Sequence, residues 1–285
     1  YPLISELLTG DQLTVGPAWS ERINGPLFVL LLLLVGICPL AAWGGTSLQR
    51  IGKRVILPGV LSLLIPLISL IFFNLHNVCL LFALWLAGFA GLILIFEYIY
   101  AVSGAYQRSE KNLISAIWAP IQRNHRRYGG LLVHLGVVLM SLGIIGLEGL
   151  QQDVQGTLAI GESIRLNDYQ FTFEDIKESR TLDERIVTEA LVEVSQNGAF
   201  VASLTPQRQV YLNMGLSITQ PSVKSNLARD VYAILVDGGS ASAQQATFRF
   251  YITPLVNWLW LGTAVLTLGT ILAVLPINEK AIRKS

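Results

Sequence analysis

The sequence predicts a polytopic α-helical membrane protein with five transmembrane helices and one extracytoplasmic β-rich domain. Of the 285 residues, 52% are hydrophobic and only 14% are charged, whereas a soluble chain carries roughly 25% charged residues. Five stretches are apolar over the roughly 20 residues that a helix needs to cross a bilayer. Residues 148–252 differ, because their apolar and polar side chains alternate with the period of β-strands.

The five apolar stretches are the predicted transmembrane helices. They cover residues 26–44, 54–73, 79–100, 130–147 and 253–276. Pro39, Pro58 and Pro66 lie inside the first two stretches. We expect kinks there rather than lost helices, because neighbouring helices can satisfy the carbonyls that proline leaves unpaired.

Lysine and arginine residues predict the orientation of the chain, since they concentrate in cytoplasmic or matrix-facing loops. The connection 45–54, the connection 101–129 and the tail after residue 276 are basic, and all three lie on one side of a five-span path. The predicted domains are therefore an extracytoplasmic segment 1–25, four helices with basic inner loops over 26–147, an outer β-domain over 148–252, and a last helix with an inner tail over 253–285.

The segment 148–252 carries the signals of a small antiparallel β-domain. Tyr169, Phe171 and Phe173 alternate with polar residues, and Asn197-Gly198 separates two alternating runs as a hairpin turn would. We expect a β-sandwich or open barrel of roughly six to eight strands.

Composition and motifs exclude several functions. Cys38 and Cys79 form no C-x-x-C and no C-x-x-C-H pattern, which argues against a zinc site, a dithiol redox centre and a c-type cytochrome. The net charge of +1 and the absence of a long basic block argue against a nucleic-acid partner. The chain begins at Tyr1 without a secretory signal, so we interpret it as part of a longer or divided protein.

The residue that most invites a functional hypothesis is His134, within the fourth apolar stretch. It shares a helix face with Ser141, while Gly136 and Gly143 lie on the opposite face, which predicts close helix contact there. His134 lies about 9 Å along the axis from Tyr128. A polar side chain at membrane depth is costly when it has no partner.

Three roles remain open for His134 on the residues alone. A neutral imidazole can hydrogen-bond to a neighbouring helix, a proton relay can involve Glu97, or the imidazole can be an axial ligand of haem iron. His76 and His125 lie at the ends of apolar stretches, where surface roles are expected. One histidine supplies half of a bis-histidine site, so a second ligand would come from elsewhere.

Several segments together resemble the CcmF family of cytochrome c maturation haem lyases. These are "YPLISELLTGDQLTVGPAW" at the start, "PLFVLLLLLVGICPLAAW", "RRYGGLLVHLG", "LTPQRQVY", "RDVYAIL" and "PLVNWLWLG" near the end, in the order of the family. The resemblance covers the C-terminal half of the family only. The family's tryptophan-rich outer segment, its outer histidines and its second haem ligand have no counterpart in the sequence.

The resemblance implies a set of site residues and partners. His134 would be one axial ligand of a transmembrane haem b shared with the missing half, and Arg126 and Arg127 are candidates for contacts with its propionates. The family joins a substrate haem, brought by the haem chaperone CcmE, to apocytochrome c thiols. Further implied partners are the family's N-terminal half, thiol-reducing and apocytochrome-binding subunits of the CcmH and CcmI type, and quinol.

The resemblance also implies an activity and a location. The chain would act as part of a lyase only with the N-terminal half or a partner subunit, in the bacterial inner membrane or the mitochondrial inner membrane, with the β-domain on the outer side. The alternative is a non-enzymatic membrane scaffold whose β-domain holds a partner protein. Composition and predicted topology fit that alternative equally well.

Overall fold

A computed structural model describes residues 6–7, 10, 17–41, 48–73, 75–109, 113–181, 185–238 and 244–275. The contacts divide the chain into two compact units, one of residues 1–141 with 261–285 and one of residues 142–260. The first unit is helical over its described part, and the second contains the β-strands. The membrane helices and the β-rich domain of the predicted fold class are both present.

The helices are α1 (Pro17–Ala41), α2 (Leu48–Ser62), α3 (Leu64–Phe73), α4 (Val78–Ser109), α5 (Leu113–Arg123), α6 (His125–Gly149) and α7 (Asn257–Val274). Asparagine caps begin two of them, because a side-chain carbonyl can accept from the first unpaired backbone N–H groups. Asn77 Oδ1 accepts from the N–H of Cys79 at 3.0 Å before α4, and Asn124 Oδ1 accepts from the N–H of Arg127 at 3.2 Å before α6.

Among the described residues, three helices are long and apolar enough to cross a membrane: Val78–Gln107, His125–Gly149 and Asn257–Val274. They correspond to the third, fourth and fifth predicted stretches. The first two stretches contain shorter apolar helices, Arg22–Cys38 and Val55–Ile71. The number of five transmembrane helices therefore stays a prediction.

The second predicted stretch stays helical on both sides of a single turn residue near Pro66, where a kink was expected. Helix α2 ends at Ser62, a turn follows at Leu63, and α3 begins at Leu64. Proline has no N–H, so Pro66 cannot donate to the carbonyl four residues before it, at Ser62. The turn instead uses a tighter bond from the N–H of Leu63 to the carbonyl of Val60, at 3.2 Å. Pro58, by contrast, lies inside α2 without ending it.

The β-domain is a sandwich of two antiparallel sheets. Its strands are β1 (Gln152–Ala159), β2 (Ser163–Leu166), β3 (Tyr169–Arg180), β4 (Arg185–Gln196), β5 (Ala199–Leu204), β6 (Gln207–Tyr211), β7 (Leu216–Gln220), β8 (Ser222–Ser225), β9 (Arg229–Asp237) and β10 (Gln245–Pro254). One sheet has the order β1-β10-β9-β8; the other has the order β2-β3-β4-β6-β7, with β5 also paired to β4. The ten strands in the described part of this domain exceed the expected six to eight, because several strands have only four or five residues.

Aromatic side chains from the two sheets form the core of the sandwich. Tyr169, Phe171 and Phe173 of β3 are all buried, as their alternation predicted. The Phe171 ring stacks on Phe250 of the opposite sheet, with centroids 4.2 Å apart. Such contacts add to the apolar area that each ring buries. The core of this domain therefore lies between the sheets.

The predicted hairpin at Asn197-Gly198 is confirmed. β4 ends at Gln196, β5 begins at Ala199, and these two residues are paired. The φ angles of Asn197 and Gly198 are +50° and +82°, which is the left-handed geometry that a two-residue type I′ turn requires at both central positions. Asparagine and glycine tolerate that geometry better than other residues.

Side chains at the start of α7 are hydrogen-bonded to the β8–β9 turn. Asn257 Nδ2 donates to the buried carboxylate of Asp230 at 2.6 Å, and the Trp258 indole N–H donates to the carbonyl of Leu227 at 3.0 Å. The Tyr232 hydroxyl also donates to Asp230, at 3.2 Å. Burial, followed by the charge of Asp230, raises the pKa of Tyr232. These bonds fix the chain direction where the last strand gives way to the last helix.

Candidate functional site

His134 lies near the middle of α6 and is half-buried. Its Nδ1 lies 2.7 Å from the carbonyl oxygen of Gly130, one turn earlier in the same helix. Because a carbonyl can only accept, this contact requires the proton on Nδ1. The lone pair of the neutral ring is then on Nε2, which is the atom available to a ligand.

Apolar side chains flank His134 along its helix face. Leu131 and Val138, three residues before and four residues after it, are buried in one cluster with Ala90 and Leu94 of α4. Residues three and four apart lie on the same helix face. The imidazole therefore lies beside a packed apolar contact between α6 and α4.

The opposite face of α6 is a close contact with α7. A Cβ added at Gly136 would lie 2.6 Å from the backbone nitrogen of Leu266 and 2.7 Å from the carbonyl oxygen of Gly262. A Cβ added at Gly262 would in turn lie 2.5 Å from the backbone nitrogen of Met140. Gly129, Gly143 and Gly269 meet backbone atoms in the same way. The predicted glycine face is confirmed, so α6 is held by backbone contact on one side and presents His134 on the other.

Ser141, which shares the face of His134, is buried and donates to the carbonyl of Val137 at 2.8 Å. Both polar side chains therefore contact a backbone carbonyl one turn earlier in α6 itself. The structure shows no hydrogen bond from His134 to a neighbouring helix within the described part of the chain.

The two candidate arginines have different surroundings. Arg126 is exposed, whereas Arg127 is half-buried and its guanidinium lies 3.2 Å from the carboxylate of Glu97 on α4. The Glu97 side chain is only 6% exposed. Glu97 was the expected partner of His134 in a proton relay, but its carboxylate is paired with Arg127, two helical turns before His134. The interpretation of His134 as part of a proton relay is therefore less favoured, because Glu97 forms an ion pair with Arg127.

The remaining histidines and tryptophans give no second site in the described residues. His76 is exposed just before α4, and His125 is half-buried at the first position of α6. In that part of the chain, no group of three or more His, Cys, Asp or Glu side chains could hold a metal ion. Trp260 is 68% exposed on α7, and tryptophans are enriched at membrane–water interfaces.

Sequence reasoning missed one feature near this site. The residues between the third and fourth apolar stretches were treated as a basic loop, yet they include the helix α5. Together with α4 and α6, this helix encloses a cleft of about 720 Å³ lined by Glu97, Arg123 and Arg127. The amphipathic pattern "LISAIWAPIQR" was the signal that could have found α5, because apolar side chains recur on one helical face.

The fold and the site define a class: a protein with apolar helices of membrane-spanning length and a β-sandwich, in which a histidine lies beside packed apolar helices. Residues 149–254 match the family model described as the CcmF C-terminal beta-sandwich. That range corresponds to the two-sheet domain of the structure. The resemblance to the C-terminal half of the CcmF family is therefore confirmed.

Curated relatives extend the similarity over nearly the whole chain. The cytochrome c-type biogenesis protein CcmF of Pseudomonas fluorescens is 26% identical over 295 residues, covering 100% of this chain and 41% of the relative. The cytochrome c-type biogenesis protein ccl1 of Rhodobacter capsulatus is 27% identical, covering 94% and 39%. The Escherichia coli CcmF protein is 24% identical, covering 96% and 40%. The chain thus spans about 40% of the length of these relatives.

A solved structure supports the same fold. The protein described as cytochrome c heme lyase CcmF superposes with a TM-score of 0.71 and 22% sequence identity. The match covers 97% of this chain and 42% of the solved chain. The likeness therefore includes both the helices and the β-sandwich, and it concerns the fold.

Proposed function

We propose that the chain is the C-terminal part, or a separately encoded C-terminal subunit, of a cytochrome c haem lyase. In this role it would help to attach haem covalently to apocytochrome c thiols on the outer face of the membrane. The similarity to proteins named for cytochrome c biogenesis and haem lyase activity supports the reaction class. Because the chain spans about 40% of those relatives, activity would require the N-terminal half as well.

The observation that carries the proposal is the hydrogen bond from Nδ1 of His134 to the carbonyl of Gly130, at 2.7 Å. Histidines that bind metals commonly donate their second ring N–H to a backbone carbonyl, which fixes the tautomer and orients the ring. The bond leaves Nε2 available as an iron ligand, and the neutral imidazole is the form of histidine that binds metals. We therefore propose His134 as one axial ligand of a haem b that the N-terminal half completes.

The surrounding residues support an electron-transfer role for that haem. A low-spin haem bound between helices would supply a one-electron centre able to keep the substrate haem reduced, with quinol as a possible donor. Leu131 and Val138 would exclude water, and the glycine contact between α6 and α7 would hold the helix that carries the ligand. Arg127 lies seven residues before His134 on the same face, so we assign the propionate contact to it rather than to the exposed Arg126.

We further propose five transmembrane helices, with the domain order expected from the sequence and the β-sandwich on the periplasmic or intermembrane-space side. The basic residues of the inner connections, including Arg123, Arg126 and Arg127, support this orientation. On that side the sandwich could contact the haem chaperone CcmE, apocytochrome c or the CcmH and CcmI subunits.

Reduced-minus-oxidised absorbance spectra of the purified complex would test the ligand assignment. We expect His134→Ala to abolish the low-spin b-type signal while the complex still assembles, and added imidazole to restore the signal by filling the vacated position. His125→Ala is the matched control, because His125 lies on the same helix near its first turn and has no assigned role. Its spectrum should equal that of the wild type.

An unchanged spectrum in the assembled His134→Ala complex would refute the ligand assignment. The scaffold alternative would then be favoured, especially if haem attachment in cells also continued with that variant. Loss of the signal in both variants would indicate a general disturbance of α6 and would also count against a specific role for His134.

A further inference from the structure

The cleft between α4, α5 and α6 is a second candidate binding site. The lyase proposal uses Arg127 from its lining, but it assigns no role to Arg123 or to the cleft itself. Its volume is about 720 Å³. Its polar lining comes from Glu97, Tyr100, Arg123, Asn124, Arg127 and Tyr128. Small residues, including Gly104 and Ala119, line the rest of the wall. The cleft therefore combines charged side chains with a wall of small, uncharged residues, which suits an amphiphilic ligand.

The charges of the cleft favour an anion. Arg127 is neutralised by Glu97 at 3.2 Å, and Arg123 adds a second guanidinium at the last turn of α5. Two arginines and one glutamate give the lining a net charge of +1. No described carboxylate forms a salt bridge with Arg123, whose side chain is exposed. A guanidinium presents a planar set of donors that suits phosphate oxygens.

Helix α5 indicates that the cleft lies at the surface of a membrane. Leu113, Ile114, Ile117 and Trp118 share one face of α5, and all four side chains are exposed, Ile114 by 82%. Ala116 and Pro120, on the other face, are buried. Helices with an exposed apolar face and an aromatic residue lie in the headgroup region of a bilayer. The hydroxyl of Tyr98 on α4 donates to the carbonyl of Ile117 at 2.7 Å, so α5 is fixed beside the cleft.

We propose that this cleft binds the phosphate group of an anionic phospholipid, with Arg123 as the principal cation. Basic pockets between transmembrane helices on the inner side of a membrane are suited to such headgroups. A phospholipid explains two features that a free phosphate ion leaves unused: the apolar part of the wall and the exposed apolar face of α5, which acyl chains would cover. Asn124, Tyr100 and Tyr128 line the position where a headgroup would receive hydrogen bonds.

Lipid analysis of the complex in nanodiscs would test the proposal. The probes are phosphatidylcholine discs with and without phosphatidylglycerol, and native mass spectrometry counts the lipids that stay bound after detergent exchange. We expect the wild type to retain phosphatidylglycerol in preference to phosphatidylcholine. Removing one arginine should lower the bound phosphatidylglycerol about fivefold in Arg123→Gln.

Arg126→Gln is the matched control, because Arg126 is exposed in the same basic region and does not line the cleft. We expect no change in its bound lipid. Arg123→Lys keeps the charge, and most of the bound phosphatidylglycerol should remain with it. This second variant keeps the test decisive if Arg123→Gln lowers the yield of folded complex, which circular dichroism would reveal.

Three outcomes would overturn the proposal. Equal retention of the two lipids would mean that only apolar contact acts at this surface. An equal loss in Arg126→Gln and Arg123→Gln would mean diffuse attraction rather than a site. Displacement of the lipid by millimolar inorganic phosphate would assign the cleft to a free anion. The lyase proposal is unaffected in each case, since His134 and Arg127 are unchanged in every variant.

Discussion

At the scale of single residues, Glu97 and Arg127 form an ion pair between α4 and α6 in which the carboxylate is buried. Its carboxylate is 6% exposed and its guanidinium side chain 30% exposed. Removing one member of a buried pair leaves the other charge without compensation, which costs more than the pair itself contributes. Loss of Arg127 should therefore destabilise the protein more than loss of Glu97, because it leaves the more buried charge, that of Glu97, without its partner.

We predict that Arg127→Gln lowers the free energy of unfolding by about 3 kcal/mol and Glu97→Gln by about 2 kcal/mol, with the double variant losing less than the sum. Denaturant titration in detergent would measure all three. Lys177→Gln is the control, because its pair with Asp175 is exposed on both sides and should contribute under about 0.5 kcal/mol. Equal losses for Glu97→Gln and Lys177→Gln would contradict the prediction.

Single residues also show how far the sequence could define the site. His134 could be identified from the sequence alone, because it is the only histidine within the apolar stretch 130–147. The pairing of Glu97 with Arg127 was not, since these residues are 30 positions apart and meet only through the packing of α4 against α6. The proton position on His134 also depends on a backbone carbonyl, and the composition of the helix does not specify it.

At the scale of elements, the contact between α6 and α7 depends on residues without side chains. A Cβ at Gly136 would lie 2.6 Å from a backbone nitrogen of α7, whereas a Cβ at Gly130 would meet nothing within 4 Å. Backbone atoms cannot move aside as a flexible side chain can. A methyl group at Gly136 would therefore clash with the backbone of α7, whereas a methyl group at Gly130 would not.

We predict opposite effects for alanine at these two positions. Gly136→Ala should separate the helices and lower the free energy of unfolding by about 1–3 kcal/mol, the usual cost of overpacking. Gly130→Ala should raise it by up to about 1 kcal/mol, because alanine has the higher helix propensity. Thermal or denaturant unfolding of both variants would measure the difference. Destabilisation of equal size at both positions would contradict the close contact.

The elements also show which patterns a sequence reveals and which it does not. Long apolar stretches and the Asn197-Gly198 hairpin were predicted because each rests on a local rule. Helix α5 was missed because its 11 residues lie among charges that suggested a loop. The strand number was underestimated because strands such as β2 and β8 have only four residues, too few for a clear alternation. The turn at Leu63 lies where the missing N–H of Pro66 predicted a kink.

At the scale of the whole molecule, the chain holds a two-sheet domain and membrane helices but only one proposed haem ligand. It spans about 40% of the length of its curated relatives. An iron held by a single imidazole keeps one axial position open, whereas two protein ligands fill both positions and give a low-spin centre. The ligand count of the whole protein can therefore be measured by testing whether a small molecule binds the iron.

We predict that the chain expressed alone and supplied with haem gives a reduced spectrum that shifts when carbon monoxide is added, because the second axial position is open. The chain co-expressed with the N-terminal part of a CcmF protein should give a low-spin b-type spectrum that carbon monoxide leaves unchanged. Adding imidazole to the chain alone is the control, since it should produce the low-spin spectrum without a second protein ligand. A low-spin, carbon monoxide-insensitive spectrum from the chain alone would mean that both ligands come from this chain, and the division of the haem site between two halves would be wrong.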